Sequence, residues 1–127
     1  MHPNEGLLRK VDEAMTAGDM DTFWGGYADD VVTHVAGTST LAGDYKGIDQ
    51  LQELFGRFME RAGDFTFDPH DYLANDEHGL ILQNSHYRKA GKALDSNDIF
   101  IYHFRDGKIS EFWMSSEDQA GVDAFLG

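Results

Sequence analysis

Three side chains have the chemistry to move a proton or to hold developing charge: His34 in "VVTHVAG", and Asp98 and Tyr102 in "NDIFIYHF". A neutral imidazole titrates close to neutral pH and serves there as a general base. A carboxylate such as Asp98 would orient that imidazole or share its proton. A phenol such as Tyr102 would donate to an oxygen on which negative charge develops. Side chains alternate along a strand, so Asp98, Phe100, Tyr102 and Phe104 share one face. In "LILQNSHYRK" the residues Gln83, Ser85 and Tyr87 share a face, and Asn84, His86 and Arg88 take the other. In "KISEFWMSS" Phe112, Met114 and Ser116 lie opposite Trp113. His34 follows Val32 by two and shares its face. The competing reading of His34 is a buried histidine satisfied by a nearby hydroxyl or carbonyl.

The remaining histidines are less pointed. His70 follows Pro69 in "DPHDY", where a bulge would reset the alternation and leave its facing open. His78 falls in a turn. No histidine pair has the i, i+4 spacing of helical zinc ligands, there is no His-x-His, and the chain has no cysteine. No metal site is expected. No glycine-rich loop joins a strand to a helix, so no nucleotide or other cofactor is expected.

The elements that would carry these residues follow from periodicity. Leu7, Leu8, Val11, Ala14 and Met15 form one helical stripe, with Gly18 placed as a left-handed cap. "DMDTFWGGYADD" reads as a second, short helix capped by Asp19 or Asp21, with Phe23, Trp24 and Tyr27 on its buried side. A strand carries His34. "GTSTLAGDYKG" reads as a loop. Ile48, Leu51, Leu54, Phe55, Phe58 and Met59 then give a long helix ending at Gly63. From residue 64 the period changes to two, and about four strands follow. Asp106-Gly107 is a tight-hairpin signal between the last two. Ser116 and Gln119 have the spacing of a capping box for a terminal helix. Helices first and strands after predict an α+β fold, with helices on one face of a curved, mostly antiparallel sheet. Residues 1–127 are expected to form one domain with a small-molecule pocket inside the curve.

Charge narrows the partners. Ten Lys and Arg against 23 Asp and Glu give a net charge of −13, a field that repels phosphate backbones and anionic lipid. Neither nucleic acid nor a membrane surface is an expected partner. No apolar run approaches the ~20 residues of a membrane span. "MHPNEGLLRK" has no signal-peptide core, and the absence of cysteine fits a cytoplasmic protein.

The order of elements, with "AGDMDTFWGGYADDVVTHVAG", "GIDQLQELF" and "RDGKISEFWMSSEDQ", resembles the SnoaL-like polyketide cyclases of the nuclear transport factor 2-like superfamily. That superfamily also holds ketosteroid isomerase and limonene epoxide hydrolase. The resemblance implies a cone-shaped α+β barrel with Tyr102, Ser85, Tyr87, Phe112 and Met114 pointing into the cone and His86, His103 and Trp113 pointing out. The isomerase's catalytic positions fall on Val11, Val35 and Tyr102, and the hydrolase's on Ser85, Tyr87 and Met114, so neither constellation is intact. Its first-strand asparagine matches His34, which is therefore expected in the cone. Asp98 is the acid that the cyclase pattern would use. The implied function is a cofactor-free lyase, isomerase or cyclase acting on a hydrophobic carbonyl compound, or a non-catalytic binder using the same cone. The implied catalytic set is His34, Asp98 and Tyr102. Ser85, Tyr87, Phe58, Phe100, Phe112, Met114 and His70 are the expected substrate contacts. Apolar residues on both faces of the late strands (Ile99, Ile101 and Trp113 against Phe100, Tyr102 and Phe112) predict a homodimer through the outer sheet face.

Overall fold

The computed structural model describes residues 1–127. Its order is α1 (Pro3–Ala17), α2 (Met20–Gly25), β1 (Tyr27–Val35), β2 (Gly43–Lys46), α3 (Ile48–Ala62), β3 (Asp64–Ala74), β4 (His78–Lys89), β5 (Lys92–Arg105), β6 (Lys108–Ser116) and α4 (Gln119–Leu126). The six strands form one curved sheet in the order β2-β1-β6-β5-β4-β3. Only the β1–β6 pair is parallel; every other neighbour is antiparallel. The helices supply Leu8, Val11, Phe23, Leu51, Leu54, Phe58 and Phe125 to the same core as Val31, Ile81, Phe100, Tyr102, Ile109 and Phe112 from the strands. The α+β cone expected from the sequence is thus the observed architecture. No helix is long and apolar enough to cross a membrane.

Local chemistry explains most boundaries. Gly18 takes the left-handed conformation (φ 76°) and its N–H bonds the carbonyls of Ala14 and Met15, which stops α1. Asp19 caps α2 by accepting from the Thr22 N–H at 3.3 Å. Asp106 and Gly107 both have positive φ, as a type I′ hairpin turn requires; Ala90 and Gly91 make the same turn between β4 and β5.

Three boundaries differ from the sequence reading. Tyr27 opens β1 instead of closing α2, because the helix ends at Gly25. The segment read as a loop contains β2, a mostly exposed edge strand. It is held by backbone pairing and so shows no hydrophobic period. The terminal helix is capped by Asp118, whose side chain accepts from the Gly121 N–H at 3.0 Å. Gln119 still reaches back to the Ser116 N–H at 3.0 Å, which is half of the expected box.

Two irregularities decide where histidines point. Against β6, β1 places Tyr27 opposite Ile109 and Val32 opposite Glu111, so a bulge lies between them. Beyond it Val31 and Thr33 are fully buried beneath the helices. Val32 and His34 therefore lie on the outer face, which corrects the expected place of His34. In β3, Pro69 pairs with Gln83 and Asp71 with Leu82, leaving His70 as the extra, exposed residue. Phe65 and Phe67 before the bulge and Tyr72 after it face the core, and His70 does not join them. It is not a cavity contact.

Gly63 ends α3 at φ 70°, ψ −131°, a region that essentially only glycine adopts. A Cβ there would lie 2.6 Å from the Arg88 carbonyl oxygen. Gly63→Ala should therefore destabilise the protein by about 2 kcal/mol or more in urea unfolding. An unchanged midpoint would show that the α3–β3 junction is not constrained in this way.

Candidate functional site

The concave face of the sheet and the helices above it enclose a cavity of ≈ 960 Å³ not occupied by protein atoms, counting the part that opens to solvent. Nineteen of its 26 lining residues are hydrophobic. The polar ones carry acids, hydroxyls and one amide; no Lys, Arg or His lines it. The acids are Asp12, Asp98 and Asp123. Ser39, Leu41 and residues of α4 line one part of it. There Asp123 accepts from the Thr38 N–H at 2.9 Å, and from Thr38 Oγ1 at 3.2 Å and Gln119 Nε2 at 3.1 Å. These bonds hold α4 against the loop after β1.

Asp98 is buried on the inner face of β5. Ser85 Oγ donates to its Oδ2 at 2.5 Å, Tyr87 Oη to the same oxygen at 3.4 Å, and Ser96 Oγ to Oδ1 at 3.0 Å. Strand pairing explains the cluster: Gln83 lies opposite Asp98 and Ser85 opposite Ser96, so all four share one face of β4 and β5. A buried carboxylate needs such donors, because an unsatisfied one costs far more than an ordinary polar group. Burial, then the nearby charge of Asp98, pushes the Tyr87 phenol well above its ordinary value. Ser85 and Tyr87 thus serve the acid directly, and Tyr87 also lines the cavity.

Tyr102 stands four residues further along β5, on the same face and fully buried. Its ring stacks on Phe112 with centroids 4.7 Å apart and planes at 5°. Burial raises its phenol pKa, with Tyr27, Asp12 and Tyr72 pushing the same way, so it is a proton donor over the working pH range. Phe58, Phe100, Phe112 and Met114 also line the cavity, as their spacing predicts.

The third expected catalytic residue is elsewhere. His34 Nδ1 lies 2.7 Å from Asp44 Oδ1 and Nε2 lies 2.6 Å from Glu111 Oε2. Its ring stacks on Trp113 at 5.0 Å on the outer face. Hydrogen bonds to Asp44, then Glu111, raise its pKa. Its expected partners, Asp98 and Tyr102, are across the sheet. The outward histidines expected at 86 and 103 are there, against Asp95 (2.8 Å) and Glu111 (3.5 Å).

Asp12 is the cavity acid that sequence reasoning passed over. It lies four residues after Leu8 and three before Met15, inside the apolar stripe of α1, and that placement was the available signal. Tyr72 Oη donates to its Oδ2 at 2.9 Å. Desolvation pushes its carboxyl up to about 6; the Tyr72 bond pulls down and Glu13 pushes up. Ser96 was also missed, although it shares the face of Asp98 by simple alternation.

A curved sheet with helices over its concave side and an apolar cavity between them defines a cone-type small-molecule fold. The chain belongs to the SnoaL-like domain family, whose pattern matches residues 8–112. A relative from Mycobacterium tuberculosis, described as an uncharacterized protein, is 27% identical over 121 residues, 94% of this chain and 92% of the relative. A crystal structure from Xanthomonas campestris, a protein of unknown function with a cystatin-like fold, is 26% identical with a TM-score of 0.91, covering 100% of this chain and 99% of that one. The structure of TerC co-crystallized with polyporic acid has a TM-score of 0.85 at 15% identity, covering 98% and 99%.

The charge state of His34 sets a pH dependence of stability. A folded-state pKa above the ordinary 6.5 gives stabilisation that is complete below that value and is lost as pH rises through the raised one. Unfolding free energy should fall as pH rises above the ordinary imidazole value of 6.5, and His34→Gln should flatten that slope. An identical slope in the variant would show that the Asp44–His34–Glu111 chain does not carry it.

Proposed function

We propose that the protein is a small-molecule enzyme of the lyase, isomerase or cyclase type that moves a proton on a neutral, hydrophobic, carbonyl-bearing ring compound held in the cone. The observation that carries this reading is the lining of the cavity: aromatic and aliphatic walls, carboxyls and hydroxyls, and no cationic side chain. An anionic ligand would meet three carboxyls and no counter-charge, whereas a ketone or alcohol would meet both donors and acceptors. Tyr102 is placed to donate to a carbonyl oxygen. Asp98, with Ser85, Tyr87 and Ser96 around it, is placed to receive a ligand hydroxyl. Their Cα atoms are about 13 Å apart along β5, four residues at the strand rise, which matches a compound of two or three fused rings. TerC, a fold neighbour co-crystallized with polyporic acid, supports small-molecule binding by this fold.

A non-catalytic binder is the second reading, and the saturation of Asp98 favours it: both of its oxygens already accept hydrogen bonds from the protein. The outer sheet face, where Ile99, Ile101 and Trp113 lie away from the helices, is proposed to pair with a second copy of the chain; a monomer in sedimentation at micromolar concentration would remove that assignment.

Thermal-shift measurements with neutral hydroxylated polycyclic ketones should raise the melting temperature at micromolar ligand. Asp98→Asn should weaken that binding about tenfold, the scale of one charge-assisted hydrogen bond. Stabilisation by carboxylated or phosphorylated compounds alone would overturn the proposed ligand class.

A further inference from the structure

We infer that Asp12, reaching into the cavity from α1 beside the phenols of Tyr27, Tyr72 and Tyr102, is the group that takes the proton from the bound compound. The reacting end of the cone is then the α1 end, and the Asp98 end is the anchor. This rests on the small-molecule reading of the cavity given above.

The half-buried Asp12 and the buried Asp98 differ in what they leave free. Asp98 has Oδ1 occupied by Ser96 and Oδ2 by Ser85 and Tyr87. Asp12 has a single partner, Tyr72 at Oδ2, and its Oδ1 accepts no hydrogen bond from the protein. The Tyr72 bond alone does not call for a carboxyl, because an asparagine oxygen would accept it with less desolvation. A carboxyl on the buried stripe of a helix is kept at a cost to folding, and proton transfer is a use that an amide cannot serve.

The donors for an oxyanion stand at the same end. The hydroxyls of Tyr45, Tyr72 and Tyr87 donate within the protein. Those of Tyr27 and Tyr102 donate to no protein acceptor, and both residues line the cavity with Asp12. Burial raises the pKa of both phenols; the charge of Asp12 adds to this at Tyr27, and Tyr27 followed by Asp12 adds to it at Tyr102. The other charged groups around Asp12 are Glu13 and Arg9 on its own helix. Arg9 lies over the Tyr72 ring at 4.4 Å and 3.5 Å from Glu5. A carboxyl raised to about 6 is a stronger base than an ordinary one and is still ionised at neutral pH.

The step balances without a co-reactant. The Asp12 carboxylate takes a proton from the carbon next to the carbonyl. The C–H electron pair becomes the new C=C bond, and the carbonyl π pair moves to oxygen. The phenols of Tyr27 and Tyr102 hold the resulting enolate oxygen. The protonated Asp12 then returns the proton to carbon at the same or a conjugated position.

The test uses 2-tetralone, a neutral bicyclic ketone, in D2O. Exchange of its α-protons is followed by proton NMR, and its binding by shifts of the Met15 and Met114 methyl signals. Wild type should accelerate exchange over buffer, with a rate that rises as pH increases through about 6. Asp12→Asn should still bind the ketone and lose about 100-fold in exchange rate. Tyr102→Phe should lose less, and the outer-face control His34→Gln should stay within about twofold of wild type. Binding without exchange in wild type, or an undiminished rate in Asp12→Asn, overturns the assignment of Asp12 and leaves the binding reading standing. No methyl shifts in wild type overturns the binding reading, and this inference with it. If Asp12→Asn does not fold, the wild-type profile decides: exchange that does not rise through that pH overturns the assignment.

Discussion

The parallel pairing of β1 with β6 is the contact on which the rest of the structure depends. Strands β3 to β6 form a meander that sequential hairpins would build unaided. Three helices precede it and α4 follows it, and β1 is the strand paired to its far edge. The bond from Ile109 N to the Gly26 carbonyl (2.8 Å) and that from Ala36 N to the Met114 carbonyl (3.0 Å) bracket the pairing. It lays α1 and α2 across the concave face and lets α3 return over it. Asp12 on the first helix and Tyr102 on the fifth strand, 90 residues apart in sequence, reach one cavity for this reason. A parallel pair needs a long crossover, and here residues 36–107, more than half of the chain, are that crossover.

Within the cavity, two carboxyls are buried by different means. Asp98 is compensated by three hydroxyl donors set at fixed register positions of two long strands, so it is held rigidly. Asp12 is compensated by one phenol from a bulged strand. Its desolvation is left largely standing and appears as a raised pKa. Environments that separate two like groups are how a protein gives them separate tasks. The bulge at His70 is part of this arrangement. Had the alternation of Phe65 and Phe67 run on unbroken through His70, Tyr72 would face solvent, and Asp12 would have no donor. The exposed histidine is thus the by-product of a shift whose use lies two residues on.

The sequence made the fold and most of the cavity legible because they rest on periodicity. Alternation along β4, β5 and β6 assigns Ser85, Tyr87, Asp98, Phe100, Tyr102, Phe112 and Met114 to one face, and all but Ser85 line the cavity; Ser85, expected as a substrate contact, is fully buried and bonds Asp98 instead. The helix stripes hold to a single slip at Tyr27. What was hidden is of two kinds. Parity past a bulge is not set by the residues of the strand itself: Val31-Val32 shows that β1 enters a core, but not which valine faces in. The fully buried Val31 and Thr33 put His34 outside. An edge strand such as β2 has no hydrophobic period, and its Asp44 is what finally holds His34. Asp12 was hidden differently, by the habit of reading a stripe for its apolar members and passing over the polar one among them.

The misplaced histidine also shows where the selectivity of such a site resides. A family position transferred by alignment carries a side chain to a place in the strand. Whether that place is inside or outside turns on a one-residue shift in pairing. The composition of the cavity surface does not depend on any single such shift. It has acids, phenols, hydroxyls and aromatic walls, and every histidine, lysine and arginine of the chain lies elsewhere. The net charge of −13 acts in the same sense as the lining, because both disfavour an anion. A chain of this charge therefore suits a ligand whose oxygens are neutral when they arrive and become negative only in reaction. At that moment the phenols of Tyr27 and Tyr102, with no other partner to satisfy, supply stabilisation that the bound ground state does not use.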